Sequence, residues 1–379
     1  MTFRSVLIAN RGEIAIRIAR ACGELNIRTV SVFAEDDSNG LHTRQSDESV
    51  PLKGRGVKAY LDMEQLITVA KAHECDAIHP GYGFLAENAE FARQCEQAGL
   101  MFIGPAPDVL ELFGNKSSAR ALAERCQVPL VNGINSPVSQ EAAEAFLAQH
   151  GALMLKAVAG GGGRGIRAVT SKGELEQAFS RCRSEAQAAF GNGDLYVEQL
   201  IARARHIEIQ ILGDGTGAVS HLWERDCSIQ RRNQKLIELA PSPGLDPVLR
   251  DEMINCALVM AKAVNYRGLG TFEFLVDEDQ PGRFYFMEAN PRVQVEHTVT
   301  EEVTGIDLVQ TQLKLLSGQT LSELALDTPP AVRGVAIQAR INAETLRSDG
   351  TTMPAAGTLT AYEPPTGPGL RVDGSGYTG

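Results

Sequence analysis

The sequence predicts a fold of mixed α/β and α+β character: an N-terminal doubly wound parallel sheet, then a strand-rich part carrying a small glycine-loop lid. Three observations predict it. Strand-like and helix-like segments alternate through the first hundred residues. A run of glycines, Gly160-Gly161-Gly162-Gly163, stands between two strand-like segments. From about Asp194 the chain is rich in strands and holds one long helical stretch.

Taken in order, residues 5–9 form a short β-rich run, and residues 13–25 carry Ile14, Ile18 and Leu25 at helical spacing. A strand follows at 29–33, a helix at 62–73, a strand at 77–78, a helix at 89–98 and a strand at 100–103. This βαβαβ order predicts a parallel sheet whose ligands sit at the carboxyl ends of its strands. The glycine fingerprint of a dinucleotide site is missing after the first strand, where Asn10-Arg11-Gly12-Glu13 stands. Gly104-Pro105-Ala106-Pro107 punctuates the unit, a helix is expected at 117–125, and Val128-Pro129 reads as a boundary. Strands at 153–158 and 166–170 flank the glycine loop. Ser171 and Glu174 then match a capping box opening a helix with Leu175, Ala178, Phe179 and Cys182 inward. The long helix spans 247–264. The expected domains are 1–113 (Rossmann-like), 114–130 (helical linker), 131–203 (lid) and 204–379 (core and the start of a C-terminal subdomain).

With 379 residues, 43% hydrophobic and 22% charged, the chain has the composition of a globular protein of two or three subdomains. A net charge of −11 argues against nucleic-acid or anionic-membrane partners. The N-terminus lacks the apolar stretch of a signal peptide, and seven scattered cysteines without a Cys-x-x-Cys pair fit reduced thiols. A cytoplasmic enzyme is expected.

The glycine loop is followed by a strand, so it suits neither a dinucleotide fingerprint nor a Walker loop. Bare amides can fold over a polyphosphate. A flexible hairpin tip is the plain alternative, but four consecutive glycines cost much backbone entropy. Lys156, on the strand feeding the loop, is a candidate phosphate clamp. Residues 271–277 and 284–289 read as a hairpin around Pro281-Gly282. A centred loop pairs residues whose numbers sum to 561, Val276 with Tyr285 and Glu273 with Glu288. Two carboxylates facing each other repel, unless a hard cation such as Mg²⁺ sits between them. Both are flanked by apolar residues, which disfavours a merely solvated face. The same parity continues through Asn290, Arg292, Gln294 and Glu296, offering metal ligation, anion binding, neutral donation and a general base on one side of an extended segment. A second polar face holds His206, Glu208 and Gln210. The following run from Glu224 to Lys235 is basic at Arg231, Arg232 and Lys235; a charged loop is its plain reading.

At these residues a resemblance appears. Leu155-Lys156 with the glycine loop, and Phe286-Met287-Glu288-Ala289-Asn290-Pro291-Arg292-Val293, look like the two signatures of the ATP-grasp carboxylase and carbamoyl-phosphate synthetase group. Ala9-Asn10-Arg11-Gly12-Glu13-Ile14-Ala15, His79-Pro80-Gly81-Tyr82-Gly83-Phe84-Leu85, the Glu224 to Lys235 run, Gln294-Val295-Glu296-His297 and Arg340-Ile341-Asn342-Ala343-Glu344 narrow it. Together they resemble biotin carboxylase over the whole chain. The resemblance implies an ATP-grasp fold, ATP and Mg²⁺ (with Mn²⁺ as a substitute) as cofactors, and biotin as carried substrate. It implies that Lys116, Lys156, His206 and the loop residues Gly161, Gly162 and Gly163 hold phosphates. Glu198, Gln199 and Ile201 would form the adenine hinge, with Gln230 and Asn233 on the nucleotide side. Glu273, Glu288 and Asn290 would carry the metal. Lys235, Arg292, Gln294 and the Val295 backbone would bind bicarbonate, Glu296 would take its proton, and Arg340 would stabilise the biotin enolate. The implied partners are a biotin carboxyl carrier domain and a carboxyltransferase domain or subunit. A homodimer or larger assembly is implied through Arg20, Glu24 and Arg371.

Three departures from the family pattern stand out: Asn233 stands where His is common, Ala159 where a further glycine is common, and the family's domain runs on beyond Gly379. Such domains serve acyl-CoA, pyruvate and urea carboxylases, and the stretches 352–357 and 364–367 hint at an acyl-CoA or urea enzyme. Two other readings stand beside this one. The first is an ATP-grasp ligase of carbamoyl-phosphate type, which biotin dependence would separate. The second is a catalytically inert nucleotide-binding fragment.

Overall fold

Five short runs near the N-terminus pair as parallel strands, β1 (Ser5–Ile8), β2 (Arg28–Phe33), β3 (Glu48–Pro51), β4 (Ala77–His79) and β5 (Met101–Phe102), all but the exposed edge strand β3 largely buried. The structure, a computed structural model, describes residues 3–134, 136–158 and 165–379. The strand order is β3-β2-β1-β4-β5, with α1 (Gly12–Glu24), α2 (Met63–Ala72) and α3 (Ala89–Gln97) among the connections. Asp62 and Asn88 cap α2 and α3 by accepting the N–H of Gln65 and Phe91. The order reverses between β1 and β4, and the crevice expected there lies at the carboxyl ends of both strands. Asn10 follows β1 and donates through Nδ2 to the carbonyls of Pro80 (2.7 Å) and Tyr82 (2.8 Å), which follow β4. Gly81 has φ +65°, and a Cβ there would meet Asn10 Nδ2 at 2.9 Å. Two sequence motifs seventy residues apart thus form one corner.

Pro107, expected as punctuation, opens helix α4 (Pro107–Gly114), where its missing N–H costs nothing. Helix α5 (Lys116–Arg125) follows, capped by Asn115, which accepts from the Ser118 N–H. The chain then crosses to a four-stranded antiparallel sheet built from β6 (Gly133–Ile134), β7 (Leu153–Ala157), β8 (Ile166–Val169) and β9 (Leu195–Gln199), ordered β6-β9-β7-β8. Helices α6 (Gln140–His150) and α7 (Lys172–Phe190) pack on it. Leu153, Leu155, Leu175, Phe179, Cys182 and Val197 form a core of their own there. Each such leucine contributes about 1.5–3 kcal/mol when fully buried. The expected capping box does not form: the Ser171 side chain makes no cap bond, and Glu174 accepts instead from Thr170. Gly161, Gly162 and Gly163, with Ala159, lie outside the described residues.

The third sheet carries the site. Its strands are β10 (Ala204–Asp214), β11 (Val219–Arg231), β12 (Gln234–Ala240), β13 (Arg267–Asp277), β14 (Phe284–Asn290) and β15 (Ala336–Ala339), antiparallel in the order β14-β13-β10-β11-β12-β15. One face takes helix α8 (Pro247–Ala263), whose Met253, Ala257 and Met260 join Ile207, Ile209, Phe272 and Phe274. Helices α9 (His297–Thr304) and α10 (Leu308–Leu316) lie between this sheet and the first: Leu308, Leu313 and Leu316 share a core with Val6, Ile8, Ile14 and Ile18. Arg17 of α1, almost wholly buried, seals that junction on Glu301 (2.8 Å) and Asp307 (2.7 Å). Among the described residues no helix is long and apolar enough to cross a membrane.

Two expectations need correction here. Glu273 does face Glu288, but Val276 faces Phe284 and not Tyr285. A bulge at Met287 sets two residues of β14 against one step of β13, shifting the register between Glu273 and Phe274. The run from Glu224 to Lys235 is not a loop. It is the tip of the β11–β12 hairpin, turned by Arg232 (φ 53°) and Asn233 (φ 63°) between the facing Arg231 and Gln234.

Candidate active site

The sheet face opposite α8 carries charges where a sheet would ordinarily be apolar. Alternation along β10 puts Ile207, Ile209 and Ile211 towards α8 and leaves His206, Glu208 and Gln210 on the other side, beside Glu273 of β13 and Arg225 of β11. Arg225 is fully buried. It gives Nε–H to Glu208 (2.5 Å), and its remaining donors to Gln210 (2.8 Å), Thr300 (3.0 Å), Thr271 (3.1 Å) and Gln294 (2.9 Å). All five of its N–H groups are used.

Lys235, at the start of β12, is equally saturated: its ammonium donates to Glu208 (2.7 Å), Glu273 (3.0 Å) and Glu296 (2.7 Å). Burial would lower its pKa, but the three carboxylates raise it well above the usual lysine value. Burial likewise opposes ionisation of Glu296, yet Lys235, Arg340 and Arg225 prevail and bring its carboxyl down to about 2. Arg340 donates to Glu296 through Nη2 (2.9 Å) and to the fully buried Glu238 through Nε (2.6 Å). Glu273 accepts from Lys235, Asn290 (2.8 Å) and Gln294 (3.0 Å) on one oxygen and meets His206 Nε2 at 2.7 Å on the other. Despite burial, Lys235 and His206 hold it well below the usual carboxylate range. Gln230 meets His206 Nδ1 at 2.9 Å.

The polar series expected on one extended segment reaches this place by another route. Strand β14 ends at Asn290; the chain turns after Pro291, and Glu296 already stands at the cap of α9 with φ −77° and ψ 4°. Asn290, Gln294 and Glu296 converge all the same. Arg292 gives Nε–H to Glu87 (2.8 Å) and Nη2–H to Asn290 (3.0 Å). The Val295 N–H donates to nothing among the described residues.

A second cluster lies where α5 meets the lid sheet. Lys156 of β7 and Arg120 of α5 (2.7 Å) share the two oxygens of Glu198, on β9. Lys116, the first residue of α5, stands over the Tyr196 ring at 5.9 Å. Burial lowers its pKa, and among the described residues no acceptor takes its protons. Gln199 accepts from Asn132 (3.0 Å), and Ile201 lies half-buried in the link from β9 to β10. Glu288 feels both clusters. Burial first, then Glu273 across the ladder, raise its pKa, and Lys116 and Lys156 oppose them. Its carboxylate accepts no hydrogen bond among the described residues. A divalent cation would relieve that unpartnered charge, and the oxygens of Glu273, Glu288 and Asn290 are the donors hard cations prefer. These residues fit Mg²⁺.

Asn233 is not drawn in; it sits exposed in the hairpin turn. Arg20 (3.9 Å from Asp373), Glu24 (bonded by Gln310) and Arg371 (2.7 Å from Glu301) are held by neighbours within the chain. The sequence reading passed over Arg225 and Glu238. For Glu238 a signal existed: Ile237 and Leu239 flank it in a strand-like run, the same apolar flanking that singled out Glu273 and Glu288.

Comparison with known proteins agrees with this geometry. The family model "Biotin carboxylase, N-terminal domain" matches residues 2–110, and "Carbamoyl-phosphate synthase L chain, ATP binding domain" matches residues 115–324. Pyruvate carboxylase of Bacillus subtilis (strain 168) is 49% identical over 388 residues, covering 100% of this chain and 33% of that protein. The chain therefore spans about a third of the length of the curated relatives it matches. Biotin carboxylase from Campylobacter jejuni, solved as a complex with β,γ-ATP, superposes with a TM-score of 0.93 at 40% identity, over 99% of this chain and 83% of that one. The biotin carboxylase domain dimer of Hydrogenobacter thermophilus 2-oxoglutarate carboxylase, solved with MgADP, ADP and bicarbonate, gives 0.92 at 42% identity, over 100% and 83%. Matched in order by both family models, and over most of the length of a solved enzyme, the chain belongs to the biotin carboxylase family of ATP-grasp ligases.

Proposed function

We propose that this chain carries out the ATP- and bicarbonate-dependent carboxylation of biotin, the first half-reaction of a biotin-dependent carboxylase. One observation carries the reading: Glu296 is buried between two cations, Lys235 and Arg340, in a site whose other end keeps a half-buried cation and carboxylate with no hydrogen-bond partner among the described residues. Lys116, Lys156 and His206, with Gly161, Gly162 and Gly163, hold the ATP phosphates. Glu198, Gln199 and Ile201 border the adenine, and Gln230 steadies His206. Asn233 stands exposed in the β11–β12 hairpin turn beyond it. Glu273, Glu288 and Asn290 would hold Mg²⁺, which when bound neutralises charge on the phosphates.

Bicarbonate lies against Lys235, Arg292, Gln294 and the Val295 N–H. Cations that hold Glu296 ionised also acidify the bicarbonate hydroxyl, so the proton passes to the carboxylate as the positive charge is shared with the new anion. The bicarbonate oxygen attacks the γ-phosphorus and the bond to ADP breaks, giving carboxyphosphate. This splits to CO₂ and phosphate, phosphate takes the ureido N–H proton, and the nitrogen attacks CO₂ while Arg340 holds the ureido oxygen. Catalysis here is positioning and fixed positive charge around a developing polyanion.

A carrier domain bringing biotin and a carboxyltransferase passing the carboxyl group on complete the cycle. The pyruvate carboxylase relatives support a 2-oxo acid acceptor over the acyl-CoA or urea acceptor hinted near the C-terminus. A cytoplasmic setting fits seven free thiols. The test is phosphate release from Mg·ATP and bicarbonate. It should rise with free biotin and fall by about 10² or more in Glu296→Ala; release indifferent to both would favour an ATP-grasp ligase of another kind.

A further inference from the structure

Two arginines of the site are bonded in opposite ways. Arg225 has all five donors engaged and no exposure. Arg340 gives one N–H to Glu238 and one to Glu296; among the described residues its other three have no acceptor. One edge of its guanidinium is pinned and the other is available. Its backbone offers little restraint, with a single N–H bond to the Leu236 carbonyl (2.9 Å) just past the edge strand β15, and the next residue, Ile341, is 94% exposed.

The two carboxylates holding Arg340 differ as well. Glu238 lies inside β12 with no exposure. Its second oxygen accepts from Gln338 Nε2 (3.3 Å), its cross-strand partner on β15, and Gln338 accepts in turn from Thr298. Glu296 is shared with Lys235 and, on the reading above, takes up a proton during turnover, which weakens its hold on the outer N–H of Arg340.

We propose that Glu238 is a positioning residue for biotin: it anchors Arg340 through Nε, so that the outer N–H held by Glu296 passes to the ureido oxygen without loss of orientation. The inference rests on the proposed biotin carboxylation. It ties the two chemical steps together, since the proton transfer that activates bicarbonate also opens the biotin contact.

Glu238→Gln tests it, with steady-state kinetics on free biotin and Mg·ATP. Loss of a charge-assisted anchor is expected to raise the KM for biotin by about ten- to a hundredfold, with the KM for ATP shifted by no more than about threefold. In an Arg340→Gln background the same change should add nothing, because the route through Arg340 is already gone. Equal losses in both backgrounds, or biotin and ATP constants rising together, would make Glu238 a support of the fold alone and overturn the proposal. Should the glutamine variant not fold, Glu238→Asp keeps the charge and withdraws it by one methylene. It should show the same split, and an unchanged biotin KM would overturn the proposal. Wild-type protein without any biotin response would bring down the carboxylation reading and this inference with it. A biotin-responsive wild type with additive variants would bring down the inference only.

Discussion

The floor of the site and its nucleotide end balance charge in opposite ways. At the floor, Arg225 and Lys235 spend every donor on protein acceptors, and Glu208, Glu273 and Glu296 are each held by two or more groups. At the nucleotide end, half-buried Lys116 has no acceptor and half-buried Glu288 no donor among the described residues. A buried charge is tolerated when paired and costly when alone. The floor is therefore finished on folding, while the nucleotide end carries stress that a polyphosphate and a cation relieve. The core boundary divides the nucleotide end itself: Lys156 and Glu198 belong to a lid with its own core, whereas α5 and β14, which carry Lys116 and Glu288, share the floor's core with α8.

If the floor is a finished network, cutting it costs stability first. Arg225→Met would leave the buried Glu208 to Lys235 alone, and the loss of one partner from a buried ion pair is worth about 3–5 kcal/mol. Chemical denaturation should show that loss together with lost activity. A change below about 1 kcal/mol would mean the guanidinium is not the keystone its five bonds suggest.

A subtler break at the same end uses pH. The Glu296 carboxyl sits at about 2 against an ordinary 4.5, so its ionised form stabilises the fold. That contribution is complete above the unfolded value and is lost as pH falls through about 2. Compared with Glu296→Gln, the wild type should be the more stable at neutral pH, and the gap should narrow once the pH drops below 4.5. Melting curves of both proteins from pH 7 downward decide it; a gap constant down to pH 3 would contradict the assignment.

Substitutions at the nucleotide end should have the opposite sign. Lys116→Met removes a half-buried cation that has no acceptor among the described residues, so the free protein should melt no lower than wild type, while the KM for ATP rises by about ten- to a hundredfold. Glu288→Gln removes the repulsion across β13 and β14. It too should leave the metal-free melting temperature unchanged or higher, and it should abolish the rise that Mg²⁺ gives the wild type. A marked loss of stability in either variant would erase the distinction between the two ends.

Much of this division was legible in the amino-acid sequence, for identifiable reasons. Four strands of the first sheet could be read because parallel strands covered on both faces leave apolar runs; the edge strand β3, polar and largely exposed, left none. The pair Glu273 and Glu288 emerged from counting across a hairpin, and the counting failed beyond it because the bulge at Met287 has no signature in periodicity. Arg225 was not legible as a site residue, and Glu238 only through its apolar neighbours Ile237 and Leu239. A charge within a strand resembles a solvated one until its partners are known, and theirs, Gln294 and Arg340, stand 69 and 102 residues further along the chain. Ser171 and Glu174 had the right spacing for a capping box, but Thr170 took the glutamate.

The smallest effect concerns Asn233, which the family resemblance placed on the nucleotide side and the structure places in a two-residue turn. Arg232 and Asn233 both have positive φ, the geometry that matches the right-handed twist of the β11–β12 hairpin. Asparagine tolerates that region better than most residues, and glycine pays no steric penalty there. Asn233→Gly should therefore be neutral or stabilising by no more than about 1 kcal/mol, and Asn233→Val destabilising by about 1–2 kcal/mol, with the KM for ATP unchanged in both. Were ATP affinity to fall in the glycine variant while stability held, the turn would have to close onto the nucleotide, and the floor would no longer be complete before its ligand arrives.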